Sequence, residues 1–326
     1  SLLAPMDELD KWIQDVLDLI EFANGSTETL WGKKRADMGH PEPFGLEYIG
    51  IGNEQWGAVY FERYEAFQRV LSEKHPEIRL ITCAGWTAEG EDFDTAYRWM
   101  RENPEKAYAV DEHFYKSPEW FLENLHRYDN YDRSLPKVFA GEYAAHTDES
   151  TPKRVCNWYA ALCEAAFLTG VEKNSDHVVM TCYAPLFART GHQQWQPDLI
   201  WFDNDSAYGT PSYYVQQLFS TNIGTKLAEV SVCTEGGSIC TSATLSEDSS
   251  TLYVKLVNLA DTALDIQLSI DRPVQSGTLY TLCADLDAVN SHAAPKNVAS
   301  AKSRFIPQEK LHLAPYSVTV GALLLA

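Results

Sequence analysis

No two of the seven cysteines in this sequence stand in a C-x-x-C pair, and their number is odd. A zinc site or a dithiol redox motif is therefore not expected. Most of the cysteines lie in apolar contexts and read as small buried hydrophobes. Cys233 and Cys240 could close a loop in an oxidising compartment. Runs of eighteen apolar residues are missing, so no transmembrane helix is expected, and the first residues do not read as a signal peptide. Basic residues are scarce: 26 Lys and Arg stand against 46 Asp and Glu, for a net charge of −20. Nowhere do they cluster, which disfavours nucleic acid and anionic membrane as partners and leaves a neutral substrate compatible. What the chain holds in quantity is aromatic surface, with nine Trp and seventeen Tyr. Such faces stack on the C–H faces of sugars, and they also fill ordinary cores. At 326 residues and 45% hydrophobic, the chain is long enough for two cores.

The apolar spacing predicts a helix over residues 6–23, with Met6, Leu9, Trp12, Ile13, Val16, Leu17 and Ile20 on one broad stripe. A polar loop is expected over 24–44. From residue 46 the texture becomes strand-then-helix and repeats five times. The predicted strands are 46–52, 78–84, 107–113, 137–141 and 177–183, and the predicted helices are 60–74, 95–101, 119–129, 153–168 and 211–219. Such alternation means a parallel sheet with right-handed crossovers. Five units and a leading helix read as an α/β fold, the last five-eighths of a (β/α)8 barrel. After about residue 222 period-two alternation takes over, in Thr251–Asn258, Leu264–Ile270 and Tyr316–Leu324. That reads as an antiparallel β-sandwich. The expected domains are 1–221, the partial barrel, and 222–326, the sandwich.

Polar chemistry collects where the predicted strands end. The first strand runs through Ile51 and Gly52 into Asn53-Glu54, the third into His113 and Tyr115, and the fourth into Glu142-Tyr143. Glu54 and Glu142 are three units apart, and across a barrel such strand ends point into one pocket. Two carboxylates about 5 Å apart at a sugar site define a retaining glycosidase. One must stay protonated for the leaving oxygen and the other ionised for attack, and Tyr115 could donate a hydrogen bond to the attacking one. Asp111-Glu112-His113 superficially resembles a metal-ligand run, but strand alternation splits the three between faces, and neither a metal nor a cofactor is expected.

These stretches have a further reading. EFANG (21–25), GHPEPF (39–44), YIGIGNE (48–54), EHFY (112–115), FAGEYA (139–144), YAPLF (183–187), QWQPDLIWFDN (194–204), YGTPSYYVQQLFS (208–220) and LAPYSVTV (313–320) occur in that order. The ordered set resembles the glycoside hydrolase family 51 α-L-arabinofuranosidases, retaining enzymes built as a (β/α)8 barrel plus a β-sandwich. By that resemblance Glu54 is the general acid/base and Glu142 the nucleophile. Asn53 would hydrogen-bond the sugar 2-hydroxyl and Tyr115 would hold the nucleophile. His113 would lie in the pocket wall, Gln194 or Trp195 near the substrate, and Trp56 would offer a platform. Family members have three earlier barrel strands that supply further sugar contacts, so these residues would build part of that pocket.

The expected activity is removal of terminal α-L-arabinofuranosyl groups from arabinose-containing carbohydrate. The alternatives are another retaining barrel glycosidase, such as an endo-glucanase, and an inactive or partner-dependent part of an arabinofuranosidase. The last rests on the two unpaired edges of a five-stranded sheet, and the expected partner is the earlier part of the barrel or a second copy. Linkage preference and compartment are not set by the sequence, though a secreted or periplasmic setting is favoured over a cytoplasmic one.

Overall fold

In the computed structural model, which describes residues 3–146, 156–230, 239–307 and 310–326, the apolar stripe near the start becomes α1 (Leu9–Asn24), with Leu9, Ile13, Leu17 and Ile20 buried. The Asn24 side chain donates to the Leu46 carbonyl at 2.8 Å and accepts the Leu46 amide at 2.7 Å, tying the end of α1 to the approach of the first strand. The loop expected over 24–44 instead contains a second helix, α2 (Leu30–Asp37), whose N-cap Thr29 accepts from the Gly32 amide. Its physical reason is Arg35, fully buried, whose guanidinium donates to the carbonyls of Phe22, His40 and Pro41. A charged side chain in an apolar-period search reads as surface; here its donors satisfy orphan carbonyls.

The chain clusters into two compact units, Ser1–Phe114 with Asp132–Gly141, and Tyr115–Tyr131 with Glu142–Ala326. In the first unit β1 (Tyr48–Gly50) pairs in parallel with β2 (Arg79–Cys83), between which runs α3 (Ala58–Lys74). Tyr60 of α3 donates its hydroxyl to the Ile51 carbonyl at 2.6 Å and accepts the Cys83 amide at 2.9 Å, pinning the helix across the carboxyl ends of both strands. After α4 (Glu91–Glu102) comes β3 (Ala109–Lys116), parallel to β2 from Ile81↔Ala109 to Cys83↔Asp111. After α5 (Pro118–Glu123) comes β4 (Lys137–Ala145), entered by the Lys137 amide bonding the Tyr108 carbonyl.

In the second unit the His146 amide bonds the Lys116 carbonyl, so β3 and β4 stay neighbours past their polar ends. Helix α6 (Trp158–Lys173) is buried over nearly its whole circumference, and β5 (Val178–Tyr183) completes a five-stranded sheet in the order β1-β2-β3-β4-β5. The expected start of this helix at Lys153 lies outside the described residues. A small sheet of β6 (Phe187–Arg189), β7 (Ile200–Phe202) and β8 (Ala207–Gly209) follows, which the sequence pattern did not reveal because its strands are three residues long. Helix α7 (Pro211–Thr221) is capped by Thr210, with proline at its first position.

Beyond α7 every described element is a strand. These are β9 (Lys226–Leu227), β10 (Ile239–Leu245), β11 (Thr251–Asn258), β12 (Leu264–Ile266), β13 (Val274–Cys283), β14 (Ala301–Phe305), β15 (Leu311–Leu313) and β16 (Ser317–Leu325). Six form an antiparallel sheet ordered β14-β13-β16-β11-β10-β9, and β12 pairs with β15. Leu252, Leu256, Leu279 and Leu323 from the larger sheet share one apolar core with Ile266, Leu311 and Leu313. On the other side α6 meets β10 and β11 through a buried ion pair, Lys255 to Glu172 at 2.6 Å, with Ser242 donating to the same carboxylate at 2.5 Å. The Cys233–Cys240 closure rests on Cys233, outside the described residues. No helix among the described residues is long and apolar enough to cross a membrane.

One carboxyl in this unit is buried deeply enough to keep its proton. Glu164 of α6 is fully buried, accepts from the Ala145 amide at 2.8 Å, and is pushed by burial up to about 8 from an ordinary 4.5. The folded chain therefore holds a proton that the unfolded chain releases once pH passes 4.5. That contribution is full below this value and is lost as pH rises through 8. Asp198, raised by burial to about 6, acts in the same direction. Urea denaturation should show stability falling by a few kcal/mol between pH 5 and 8, on the order of the shift itself. Glu164→Gln should flatten most of that slope, and an unchanged slope would remove Glu164 as its source.

Candidate active site

Glu54 is presented by a strained loop. Beyond β1 the chain passes through Gly52 at φ +101, where a Cβ would lie 2.5 Å from Gln55 Oε1 and 3.0 Å from the Tyr60 ring. Glu54 itself has φ +56, left-handed backbone that a non-glycine residue adopts at a cost of about 1 kcal/mol. The loop is held from inside: the Asn53 amide donates to Gln55 Oε1, and Tyr60 holds the Ile51 carbonyl. The Glu54 carboxylate is 36% exposed, and its Oε1 lies 3.1 Å from His113 Nδ1.

His113, 2% exposed, spends its second ring nitrogen on Asp111, with Nε2 3.1 Å from Oδ2. Asp111 Oδ1 in turn accepts the Gly141 amide at 3.1 Å. Both imidazole nitrogens thus face carboxylate oxygens. Gly141 is glycine because of this contact: a Cβ there would stand 2.1 Å from Asp111 Oδ1. Glu112, between Asp111 and His113, points the opposite way and accepts from Tyr97 of α4. The alternation read from the sequence therefore separates Glu112 from the other two, while Asp111 and His113 share a face.

In the second unit the Tyr115 hydroxyl donates to Glu142 Oε2 at 2.8 Å. The Tyr115 ring is flanked edge-on by Trp195 at 5.6 Å, with the tilted His146 ring at 6.5 Å. Ring neighbours of this kind fix the ring plane and so the direction of its hydroxyl. Trp195 is 43% exposed, and an exposed indole beside the Tyr115 ring offers an apolar face to a ligand.

Of the residues singled out from sequence, Glu54 and His113 are thus joined in the first unit, and Tyr115, Glu142 and Trp195 in the second. Asn53 is exposed beside Glu54, Trp56 is partly exposed with its Cβ facing Gly85, and Gln194 is exposed. Asp111 and Gly141 were missed as site residues. The signal available was weak, since Asp111 precedes His113 by one strand period, but nothing in the sequence says that β4 supplies a bare backbone amide opposite it.

Residues 3–133 match the alpha-L-arabinofuranosidase 1 domain family, and residues 141–317 the alpha-L-arabinofuranosidase C-terminal domain family. An extracellular exo-alpha-L-arabinofuranosidase of Streptomyces chartreusis is 45% identical over 221 residues, covering 67% of this chain and 26% of its own length. Alpha-L-arabinofuranosidase 2 of Arabidopsis thaliana is 33% identical over 305 residues, or 92% of this chain and 42% of its own. A solved arabinose-bound GH51 α-L-arabinofuranosidase superposes with a TM-score of 0.85 at 29% identity, covering 99% of this chain and 52% of that one. The chain spans between about a quarter and about half the length of these relatives.

The Asp111–Gly141 contact makes a stability prediction. Gly141→Ala drives a methyl into a carboxylate oxygen and should cost about 1–3 kcal/mol, the usual range for overpacking. Gly50→Ala in β1, where a Cβ meets nothing within 4 Å, should stay within about 0.5 kcal/mol. Equal losses for the two in denaturant titration would mean that β4 shifts freely away from Asp111.

Proposed function

Because the chain belongs to the α-L-arabinofuranosidase family, glycoside hydrolase family 51, we propose that it carries the catalytic glutamates of a retaining arabinofuranosidase acting on terminal α-L-arabinofuranosyl groups. The observation that supports this best is on β3, where alternate residues partner the two candidate glutamates, His113 bonding Glu54 and Tyr115 bonding Glu142. One glutamate is faced by a ring nitrogen able to accept a hydrogen bond from a protonated carboxyl. The other is faced by a hydroxyl that donates to an ionised one. That asymmetry matches a proton donor and a nucleophile.

In the first step the Glu142 carboxylate forms a bond to the anomeric carbon as the bond to the leaving oxygen breaks, and Glu54 transfers its proton to that oxygen. In the second, Glu54, now ionised, takes a proton from water. The water oxygen bonds the anomeric carbon and Glu142 departs as carboxylate, so configuration is retained. Asn53 is assigned to the sugar 2-hydroxyl, Trp195 and Gln194 to the substrate's surroundings and Trp56 to a platform beyond Glu54. The Tyr115 hydrogen bond orients Glu142 and stabilises it as leaving group.

On this reading the five-stranded sheet is the later five-eighths of a (β/α)8 barrel, residues 1–221, and residues 222–326 form a β-sandwich. The remaining barrel units, from the rest of the protein or from a partner, supply the other sugar contacts. The setting is taken to be extracellular, as it is for the Streptomyces relative.

With the full-length protein and an aryl α-L-arabinofuranoside, Glu142→Ala should abolish turnover. Glu54→Ala should retain it only with an activated leaving group, where azide should restore product of retained configuration. Tyr115→Phe should lower kcat/KM by about 10–100-fold, the worth of one hydrogen bond to a charged group. Unchanged turnover in Glu142→Ala, or faster cleavage of an internal-bond β-glucan, would overturn the assignment.

A further inference from the structure

The geometry points to Asp111 as a positioning residue for Glu54, one that fixes the tautomer of His113 so that Glu54 rests protonated before the first chemical step. This rests on the acid/base reading of Glu54. Donor and acceptor counts set the tautomer. An ionised aspartate only accepts hydrogen bonds. Asp111 Oδ1 already accepts the Gly141 amide at 3.1 Å. Its other oxygen faces His113 Nε2 at 3.1 Å, so the pair is attractive only when Nε2 carries the hydrogen. In a neutral imidazole Nδ1 then presents a lone pair. Opposite that lone pair, at 3.1 Å, is Glu54 Oε1. With the imidazole neutral, the contact is a hydrogen bond when Glu54 brings the proton and a repulsion between lone pairs when it does not.

The general acid of a retaining glycosidase needs this bias, and the His113 contact is placed to supply it. After Glu54 has given its proton to the leaving oxygen, its carboxylate faces the Nδ1 lone pair. The same repulsion then strengthens it as the base that removes a proton from the attacking water. One tautomer serves both steps, and no proton has to pass through His113.

The other ionisable groups beside this arrangement come from β2, α3, β3 and β4. Cys83 on β2 is held up at about 11 by burial, and Tyr60 on α3 is raised well above 10 by burial, so both are neutral through the working pH range. Gln55 is uncharged and engaged with the Asn53 amide. Glu112 on β3 faces Tyr97 of α4 instead. From β4 the contact is the Gly141 backbone amide, with no side chain to titrate, and Glu142, the next residue along β4, is bonded to Tyr115.

The Gly141 amide also makes the substitution Asp111→Asn directional. That amide needs an acceptor, so the side-chain carbonyl oxygen of the introduced asparagine takes that place and its NH2 turns to His113 Nε2. Two donors cannot face each other, and the imidazole hydrogen moves to Nδ1, where it stabilises ionised Glu54. Nitrogen-15 NMR of histidine-labelled protein reads this directly, with the His113 resonance assigned by its loss in His113→Gln. The expected result is hydrogen on Nε2 in the unaltered protein and on Nδ1 in Asp111→Asn. Hydrogen on Nδ1 in the unaltered protein overturns the proposal without any variant having to fold, and so does an unchanged tautomer in folded Asp111→Asn.

The kinetic arm uses the full-length protein. Asp111→Asn should move the alkaline limb of kcat/KM to lower pH and reduce kcat at neutral pH at least about 10-fold for a poor leaving group, with KM little changed. For a dinitrophenyl leaving group, whose departure needs no proton, the loss should be much smaller. A tautomer that switches while the limb stays in place overturns the link to Glu54. If Glu54→Ala keeps full turnover with a poor leaving group, it is the acid/base reading that fails, and the NMR result still decides what Asp111 does to His113.

Discussion

The alternation of β3 is the constraint on which the candidate site depends. A strand turns successive side chains to opposite faces, so Asp111, His113 and Tyr115 leave β3 on one face while Val110, Glu112 and Phe114, all fully buried, leave it on the other. The buried face anchors the strand: Phe114 is inaccessible and Glu112 is satisfied by Tyr97. With that face locked, the polar face cannot slip, because a one-residue shift would put three polar groups into the core. His113 and Tyr115 therefore meet their respective glutamates with fixed directions, which preorganised acid–base chemistry needs more than it needs strength.

Rigidity on β3 is matched by strain on the loop after β1. A left-handed Glu54 is tolerated because Gly52 permits a close approach to Tyr60 and because Tyr60 ties together the Ile51 carbonyl and the Cys83 amide. The cost of the conformation is met by contacts outside the loop. In the second unit the same division holds between a firm support and an exposed working group. Tyr115 has ring neighbours on two sides, and the partly exposed Trp195 is one of them. Helix α6 of the same unit is buried around nearly its whole circumference and fastened to the antiparallel sheet by Lys255 and Glu172. A buried ion pair contributes little net stability.

Much of this was legible from residue order. Period-two and period-3.6 patterns locate the five strand-then-helix repeats and the change to strands after residue 221, because burial of one face imposes those periods directly on the sequence. A carboxylate after an apolar β-branched run identifies Glu54 and Glu142 as candidates, since such a group is costly in a strand end unless it has a task. What escaped were elements too short or too polar to carry a period. Helix α2 depends on a buried arginine reading three carbonyls, and β6 to β8 are three residues each.

Residue order alone settles which groups stand at strand ends and which family the chain joins, because both follow from the succession of side chains along one strand at a time. What those groups touch is settled only by the folded arrangement. That Asp111 faces a bare amide, that a methyl at Gly141 would strike it, and that His113 has a carboxylate at each nitrogen depend on the register between β3 and β4 and on the path of the β1 loop. Register is a relation between segments distant in the chain, set by packing across the sheet, and one strand's residues do not encode its neighbour's offset.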